Sequence, residues 1–304
     1  MNKNPAYIPE VLLVVVLILI GSLAVPLLSR YKLDTSALLY VGLPILISTL
    51  LIFFTSARPN NHWKNRYWNN ARYSLIIMLG SSILLFEGFI CILMYMPIHF
   101  LIFSIVYLFH KNYKENSGKL NSHVLPIILI IISLEGTHSS LSYERYNEVS
   151  ATQIVNISIK DIKNNLIKPI KLDHDRHWFL EIFPMPYQIN AGTLNEGDIH
   201  EIYFRYHRWF FTNTHEGKML LKIHKVDENT VETEFVKDSS YISTYLELLG
   251  TTIQFNPIDE INTRVTLSIR FNRKLDPAWY FAPLERYGIK QTAKYLISDI
   301  ISRQ

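Results

Sequence analysis

Carboxylates and histidines are the side chains of this 304-residue sequence whose types and spacing invite a chemical reading. Two glutamates interrupt apolar sequence in the same local form, Phe86-Glu87-Gly88 and Leu134-Glu135-Gly136. A carboxylate at membrane depth is costly unless it is paired, hydrated or protonated, so each is a candidate functional group. The plainer reading puts both at a membrane–water interface, where hydration is cheap. No His-x-x-x-His, paired Asp or Ser/Lys pattern accompanies them, and His99 and Cys91 stand isolated, as packing residues do.

Farther along, His174 and His177 are spaced i, i+3 and are the only weak metal candidates. Zinc needs three or four converging ligands, so no metal site is expected. General acid–base chemistry requires a poised carboxylate or histidine. Asp198, Glu201, Tyr203, His207, Glu232 and Glu234 all qualify by type, and none is singled out, so no catalytic residue is assigned. Arg205 and His207 are the pair best suited to anchor the polar head of an otherwise apolar ligand, with Tyr203 and Trp209 beside them. Trp279, Tyr280 and Phe281 form an aromatic cluster that can brace a helix start, line a cavity mouth or sit in a headgroup belt. No phosphate-cradling loop, dinucleotide fingerprint or nucleophile elbow is present, and no cofactor is expected.

The elements that must position these residues fall into two halves. Charged residues make up 18% of the chain and the net charge is +4. Residues 1–140 hold 10 Lys/Arg and 5 Asp/Glu, and residues 141–304 hold 20 and 21. The polar half therefore has no basic footprint, which argues against nucleic acid as a partner. Aromatic residues at 13% exclude disorder, and one cysteine excludes a disulfide framework or a Cys-rich zinc module.

The first half reads as an all-α transmembrane bundle with spans at about 11–29, 36–57, 73–91, 93–110 and a short fifth at 123–139. The loops 58–72 and 111–122 carry the Lys/Arg excess and should face the cytoplasm. With five spans, the N-terminus is cytoplasmic and the C-terminal half is on the other side of an inner or plasma membrane. With four, that half is cytoplasmic.

After residue 140 the pattern changes to alternation. Residues 263–271 put Val265, Leu267, Ile269 and Phe271 on one strand face. Strands are also expected at 149–157, 187–192, 198–211, 219–226, 230–236 and 250–257, with a hairpin turn at Asp227–Asn229. Helices are expected at 158–168, capped by Ser158, and at 173–182, capped by Asp173. A final helix starts near Asp276-Pro277 or Ala282-Pro283 and runs to about Ser302. Leu284, Tyr287, Tyr295, Leu296 and Ile300 are available for its apolar stripe. The fold class is an α+β domain, a curved antiparallel sheet around one long C-terminal helix.

That order resembles the helix-grip fold of the START-like and polyketide-cyclase (SRPBCC) superfamily, which includes plant pollen-allergen-like lipid binders. The chain also looks similar to multi-span membrane proteins with a C-terminal domain of this type. The stretches that carry the resemblance are Phe183-Pro184-Met185-Pro186, Asn195-Glu196-Gly197-Asp198, Tyr241–Leu246, Thr263–Thr266 and, above all, Leu275–Glu285 with Asp276, Pro277 and Pro283. Leu85–Pro97 matches the same group's Glu-Gly/Cys/Pro segment. The resemblance implies 1–140 as the bundle and 141–304 as the START-like domain. It also implies a membrane-tethered site for a lipid or other apolar small molecule, with membrane lipids as neighbours. A cyclase-like or hydrolytic enzyme and a solidly packed interaction module are the alternatives, because this fold alone does not name a reaction.

Overall fold

The structure is a computed structural model, and it describes residues 10–55, 63–85, 89–115, 124–171, 177–184, 186–209 and 212–301. Two compact units emerge. The first is residues 1–143 together with Leu275–Tyr280, and the second is residues 144–274 together with 281–304.

In the first unit α1 spans Glu10–Arg30, and a π-helical turn at Leu38–Gly42 leads into α2, Leu43–Thr55. Three further helices follow: α3 (Trp63–Leu84), α4 (Phe89–Glu115) and α5 (Val124–Ser133). Among the described residues, three stretches, Glu10–Arg30, Leu38–Thr55 and Cys91–Tyr113, are long and apolar enough to cross a membrane. Two of the expected spans take a different form. Helix α3 begins at Trp63, ten residues before the expected start, because Trp63–Arg72 continues the helix as a polar first half that hydropathy alone does not register. Helix α5 stops at Ser133 instead of 139, since Gly136 adopts a left-handed φ of 78° that ends helical winding. Its ten residues rise only about 15 Å, half of a hydrocarbon core.

Cross-helix contacts fix the directions within this unit. The Tyr73 hydroxyl donates to Glu10, and the Ser81 hydroxyl donates to the Ile18 carbonyl at 3.3 Å, so α1 and α3 run parallel. Helix α4 returns antiparallel to α3, with Tyr107 bonded to the Trp63 carbonyl at 2.8 Å, Tyr67 to Ser104 at 2.8 Å and Ser74 to His99 at 2.6 Å. One end of the unit therefore carries Trp63 and Lys111, and the other carries residues 30–37 and Glu135. Leu17, Ile47, Leu51, Ile77 and Phe103 fill the space between α1, α2, α3 and α4.

The second unit is an eight-stranded antiparallel sheet with order β1-β8-β7-β6-β5-β4-β3-β2. Its strands are β1 (Tyr146–Val155), β2 (Ile170–Lys171), β3 (Pro186–Asn190), β4 (Ile199–Trp209), β5 (Thr212–Val226), β6 (Thr230–Asp238), β7 (Leu246–Pro257) and β8 (Thr263–Arg273). The six-strand meander, the Asp227–Asn229 turn and the β8 alternation appear as the sequence pattern predicts. Val265, Leu267, Ile269 and Phe271 are all buried. Helix α6 (Ile159–Leu166) starts where expected, with Ser158 Oγ accepting the Asp161 N–H at 3.2 Å. Within the described part of the expected 173–182 helix, α7 spans Trp178–Glu181; residues 173–176, with the Asp173 cap, lie outside the described residues.

Bulges at Pro186/Gln188, Leu220/Leu221, Ile223/Lys225 and Leu248/Gly250 bend the strands and curve the sheet into a half-barrel. A side chain at Gly250 would collide with the Thr233 carbonyl, so this bulge requires glycine for close backbone approach.

Helix α8 (Ala278–Leu296), continued by a π-helical turn at Ile297–Ile301, packs along the apolar face of the sheet. Its buried line runs Phe281, Glu285, Ile289, Ala293, Ile297, a strict four-residue step. Of the stripe read in sequence, Tyr295 and Leu296 pack against this core, whereas Tyr287 is 42% exposed and the smaller Ala293 faces inward. Close helix–sheet packing favours the small side chain over the large one. The result is a helix-grip-like architecture.

Candidate functional site

The interior of the half-barrel is built unevenly. Its main core joins β1, β3, β6, β7 and β8 to α6 and the later turns of α8, through Ala151, Val155, Ile162, Ile189, Val231, Phe255, Phe271 and Ala293, with Ile202 of β4 and Val226 of β5 packed against it. On the β4–β5 side, Phe204, Tyr206, Met219 and Ile223 are also buried, but they do not join that cluster. Strand alternation puts these side chains on one face, because Phe204 and Tyr206 are two apart on β4 and Met219 and Ile223 four apart on β5. Tyr241, from the turn after β6, stacks on Tyr206 with ring centroids 4.7 Å apart, and Tyr245 meets Tyr241 edge-on at 5.5 Å. Helix α7 supplies a second aromatic group. Phe179 lies 5.0 Å from both Phe183 and Tyr287, while Trp178 is 65% exposed beside them. This side of the sheet is thus apolar and aromatic.

The opposite face of β4 is polar. Arg205 is exposed, pairs with Glu216 at 2.9 Å and lies 5.0 Å from the Tyr187 ring. The Tyr203 hydroxyl donates to Glu201, which also accepts from Lys218 at 3.0 Å. The bond from Tyr203, followed by that from Lys218, holds the Glu201 carboxyl below its ordinary range, and the same bond to Glu201 pushes the Tyr203 phenol up. These residues pair along β4 and across to β5 on the face opposite Phe204 and Tyr206. The side chains of His207 and Trp209 lie outside the described residues.

Two further histidines have local partners. His177 is exposed and caps α7 by accepting the Phe179 N–H at 3.3 Å, and His200 is bonded to the Thr193 carbonyl at 2.9 Å. His174 lies outside the described residues, and among those described no cluster of three metal-capable side chains occurs.

Within the first unit, two motifs that are 140 residues apart in sequence meet. The buried Glu135 accepts the Ala278 N–H at 2.8 Å, so its carboxylate caps the first turn of α8 from outside the helix. Its own carbonyl accepts the Ala37 N–H at 2.9 Å. Asp276 is fully buried: its N–H donates to the Thr35 carbonyl at 2.8 Å, and its carboxylate accepts from Ser142 at 3.4 Å. Gly136 presses against that carboxylate, leaving no room there for a Cβ. Pro277 immediately precedes the helix, whereas Pro283 lies inside it.

The three aromatic residues separate. Trp279 is 48% exposed, Phe281 is fully buried in the second unit, and the Tyr280 hydroxyl donates to the Met94 carbonyl at 2.6 Å. That carbonyl lies in the α4 turn preceding Pro97, whose ring disturbs the helical ladder and lets a carbonyl take an outside donor. Burial pushes the Tyr280 phenol up. Glu87 lies outside the described residues.

His99 is not isolated. It is buried with Nε2 2.6 Å from Ser74 Oγ and Nδ1 3.3 Å from the Tyr95 hydroxyl. Only the helix register brings Ser74 opposite it, so no local spacing marks the pair.

Replacing Glu135 by alanine should leave the Ala278 N–H without this acceptor, at a cost of about 1–3 kcal/mol. Glutamine keeps an acceptor oxygen and should recover most of the loss. Thermal unfolding of the two variants checks this, and equal damage in both would count against the capping role.

No protein-family model and no curated protein matches the chain. Among solved structures, a START superfamily protein from Mycobacterium smegmatis is 14% identical, over 50% of this chain and 96% of that one, with a TM-score of 0.34. Truncated norcoclaurine synthase from Thalictrum flavum is 14% identical over 53% and 97%, with a TM-score of 0.33. The Zhui aromatase/cyclase from Streptomyces sp. R1128 is 11% identical over 51% and 93%, with a TM-score of 0.32. These identities and scores are low, and the architecture assigned above rests on strand order and core packing.

Proposed function

We propose that the second unit binds a lipid or other apolar small molecule and works beside a membrane crossed by helices of residues 1–140. The observation that carries this reading is the β4–β5 wall of the half-barrel, where Phe204, Tyr206, Met219 and Ile223 are buried outside the main core cluster. An apolar, aromatic wall suits a ligand that is mostly hydrocarbon. Residues 141–304 form the binding domain in this reading, apart from the short Leu275–Tyr280 segment.

Placement of that domain on the non-cytoplasmic side is supported by charge and direction. The Lys/Arg-rich end of the first unit is the cytoplasmic one by loop bias, and Glu135 is bonded to Ala37 at the other end. A binding role is favoured over an enzymatic one, because the polar pairs of β4 lie on its exposed face.

Met219→Trp is the informative variant, since it extends a large ring from β5 into the same face. It should lower stability by about 1–3 kcal/mol through overpacking and displace the ligand. Solvent extraction of the purified full chain, followed by mass spectrometry, should recover an apolar compound from the wild type and much less from Met219→Trp. Equal recovery from both would count against this site.

A further inference from the structure

The basic end of the first unit has a construction that the ligand-binding reading does not use. Trp63 opens α3, and the Lys111 ammonium of α4 sits 4.0 Å from the centroid of its ring, with the Lys64 ammonium 5.6 Å away. The corner is held in place. Tyr107 donates to the Trp63 carbonyl at 2.8 Å, Tyr67 is bonded to Ser104 at 2.8 Å, and the Tyr67 ring lies 5.1 Å from Tyr107 and 5.5 Å from Phe103. Both helices are therefore braced just where the two ammoniums meet one indole.

Exposure and charge agree with that geometry. Trp63 is 41% and Trp68 63% exposed, and Lys64 and Arg72 are exposed on the same helix. From residue 56 to 72 the sequence has four cationic side chains, Arg58, Lys64, Arg66 and Arg72, and no carboxylate. The α4 stretch apolar enough to cross a membrane, Cys91–Tyr113, ends at this corner. Trp at the end of a span belongs at headgroup depth, where an ammonium pair meets lipid phosphates.

We infer that Trp63, Lys64 and Lys111 form a binding site for the phosphate headgroup of an anionic phospholipid in the adjoining leaflet. The indole keeps the two ammoniums together and rests on the glycerol region, while the ammoniums receive the phosphate. A zwitterionic lipid brings its own cation to the same place and binds less well. The site is independent of the ligand proposed for the sheet domain.

The test uses the full chain in detergent, titrated with phosphatidylglycerol or phosphatidylcholine of identical acyl chains and read by native mass spectrometry. Identical chains remove any contribution from an apolar cavity elsewhere. The wild type should prefer phosphatidylglycerol, and the K64Q/K111Q pair should weaken that lipid roughly tenfold or more, leaving phosphatidylcholine unchanged. Arg30→Gln, at the far end of α1, should retain the preference. Equal retention of both lipids by the wild type would overturn the proposal without recourse to a variant. So would an undiminished preference in K64Q/K111Q, or displacement of phosphatidylglycerol by millimolar inorganic phosphate, which would mark a free-phosphate site.

Discussion

Gly136→Ala is expected to destabilise the full chain by about 2–4 kcal/mol, the sum of backbone strain and a displaced buried carboxylate. The residue has a φ of 78°, where a Cβ costs about 1–2 kcal/mol even in open space. Space is not open, because that Cβ would fall on the Asp276 carboxylate. Asp276 cannot simply swing aside: it is fully buried, and its backbone is bonded to Thr35. The substitution thus strikes both strands of the contact that Glu135 completes by capping Ala278. Thermal unfolding monitored by size-exclusion recovery gives the readout. A variant as stable as the wild type would show that Leu134–Gly136 and Leu275–Ala278 do not meet as described.

Phe271→Ala should cost about 3–5 kcal/mol, the range for truncating a buried aromatic ring in a core that relaxes only partly. Phe271 has no solvent exposure and lies on β8, which is paired on both sides, with Asn147 of β1 and Leu248 of β7. It belongs to the same cluster as Phe255, Val265 and Ala293, so the void would open between sheet and helix. Leucine at this position should recover more than half of the loss, because it refills most of the volume. Denaturant unfolding of the full chain checks both. A loss below about 1 kcal/mol for alanine would contradict a close-packed β8–α8 layer.

How far the sequence revealed this molecule depended on how local each signal was. Strand β8 was legible because its alternation is unbroken, and α6 because Ser158 and Asp161 carry their own start signal. Strand β2 was not, since the two residues Ile170–Lys171 have no period to detect. The polar start of α3 was missed for the opposite reason: a helix held by aromatic contacts to α4 needs no apolar run of its own. The apolar stripe of α8 is legible at Tyr295 and Leu296, which pack against the core, but size alone favours Tyr287, which the fold turns outward, over Ala293, which it turns inward.

The candidate groups divide in the same way. Glu135 and Asp276 both stood out in sequence, one as a carboxylate in apolar surroundings and one in a distinctive Asp-Pro motif. Their meeting through Gly136 and Ala278 spans 140 residues and leaves no local trace. Arg205 stands out in sequence as an anchor for a ligand's polar head, whereas strand alternation puts it on the exposed face with Glu216. The tyrosine stack of Tyr206 on Tyr241 joins a strand to a turn three elements later, which no periodicity could indicate.

The most direct test is native mass spectrometry of the full chain released from detergent micelles. The account predicts one apolar adduct at near-unit occupancy in the wild type, surviving delipidation of the helices and lost in Met219→Trp. A bare-chain mass for the gently released wild type, or an adduct that Met219→Trp leaves in place, would contradict it.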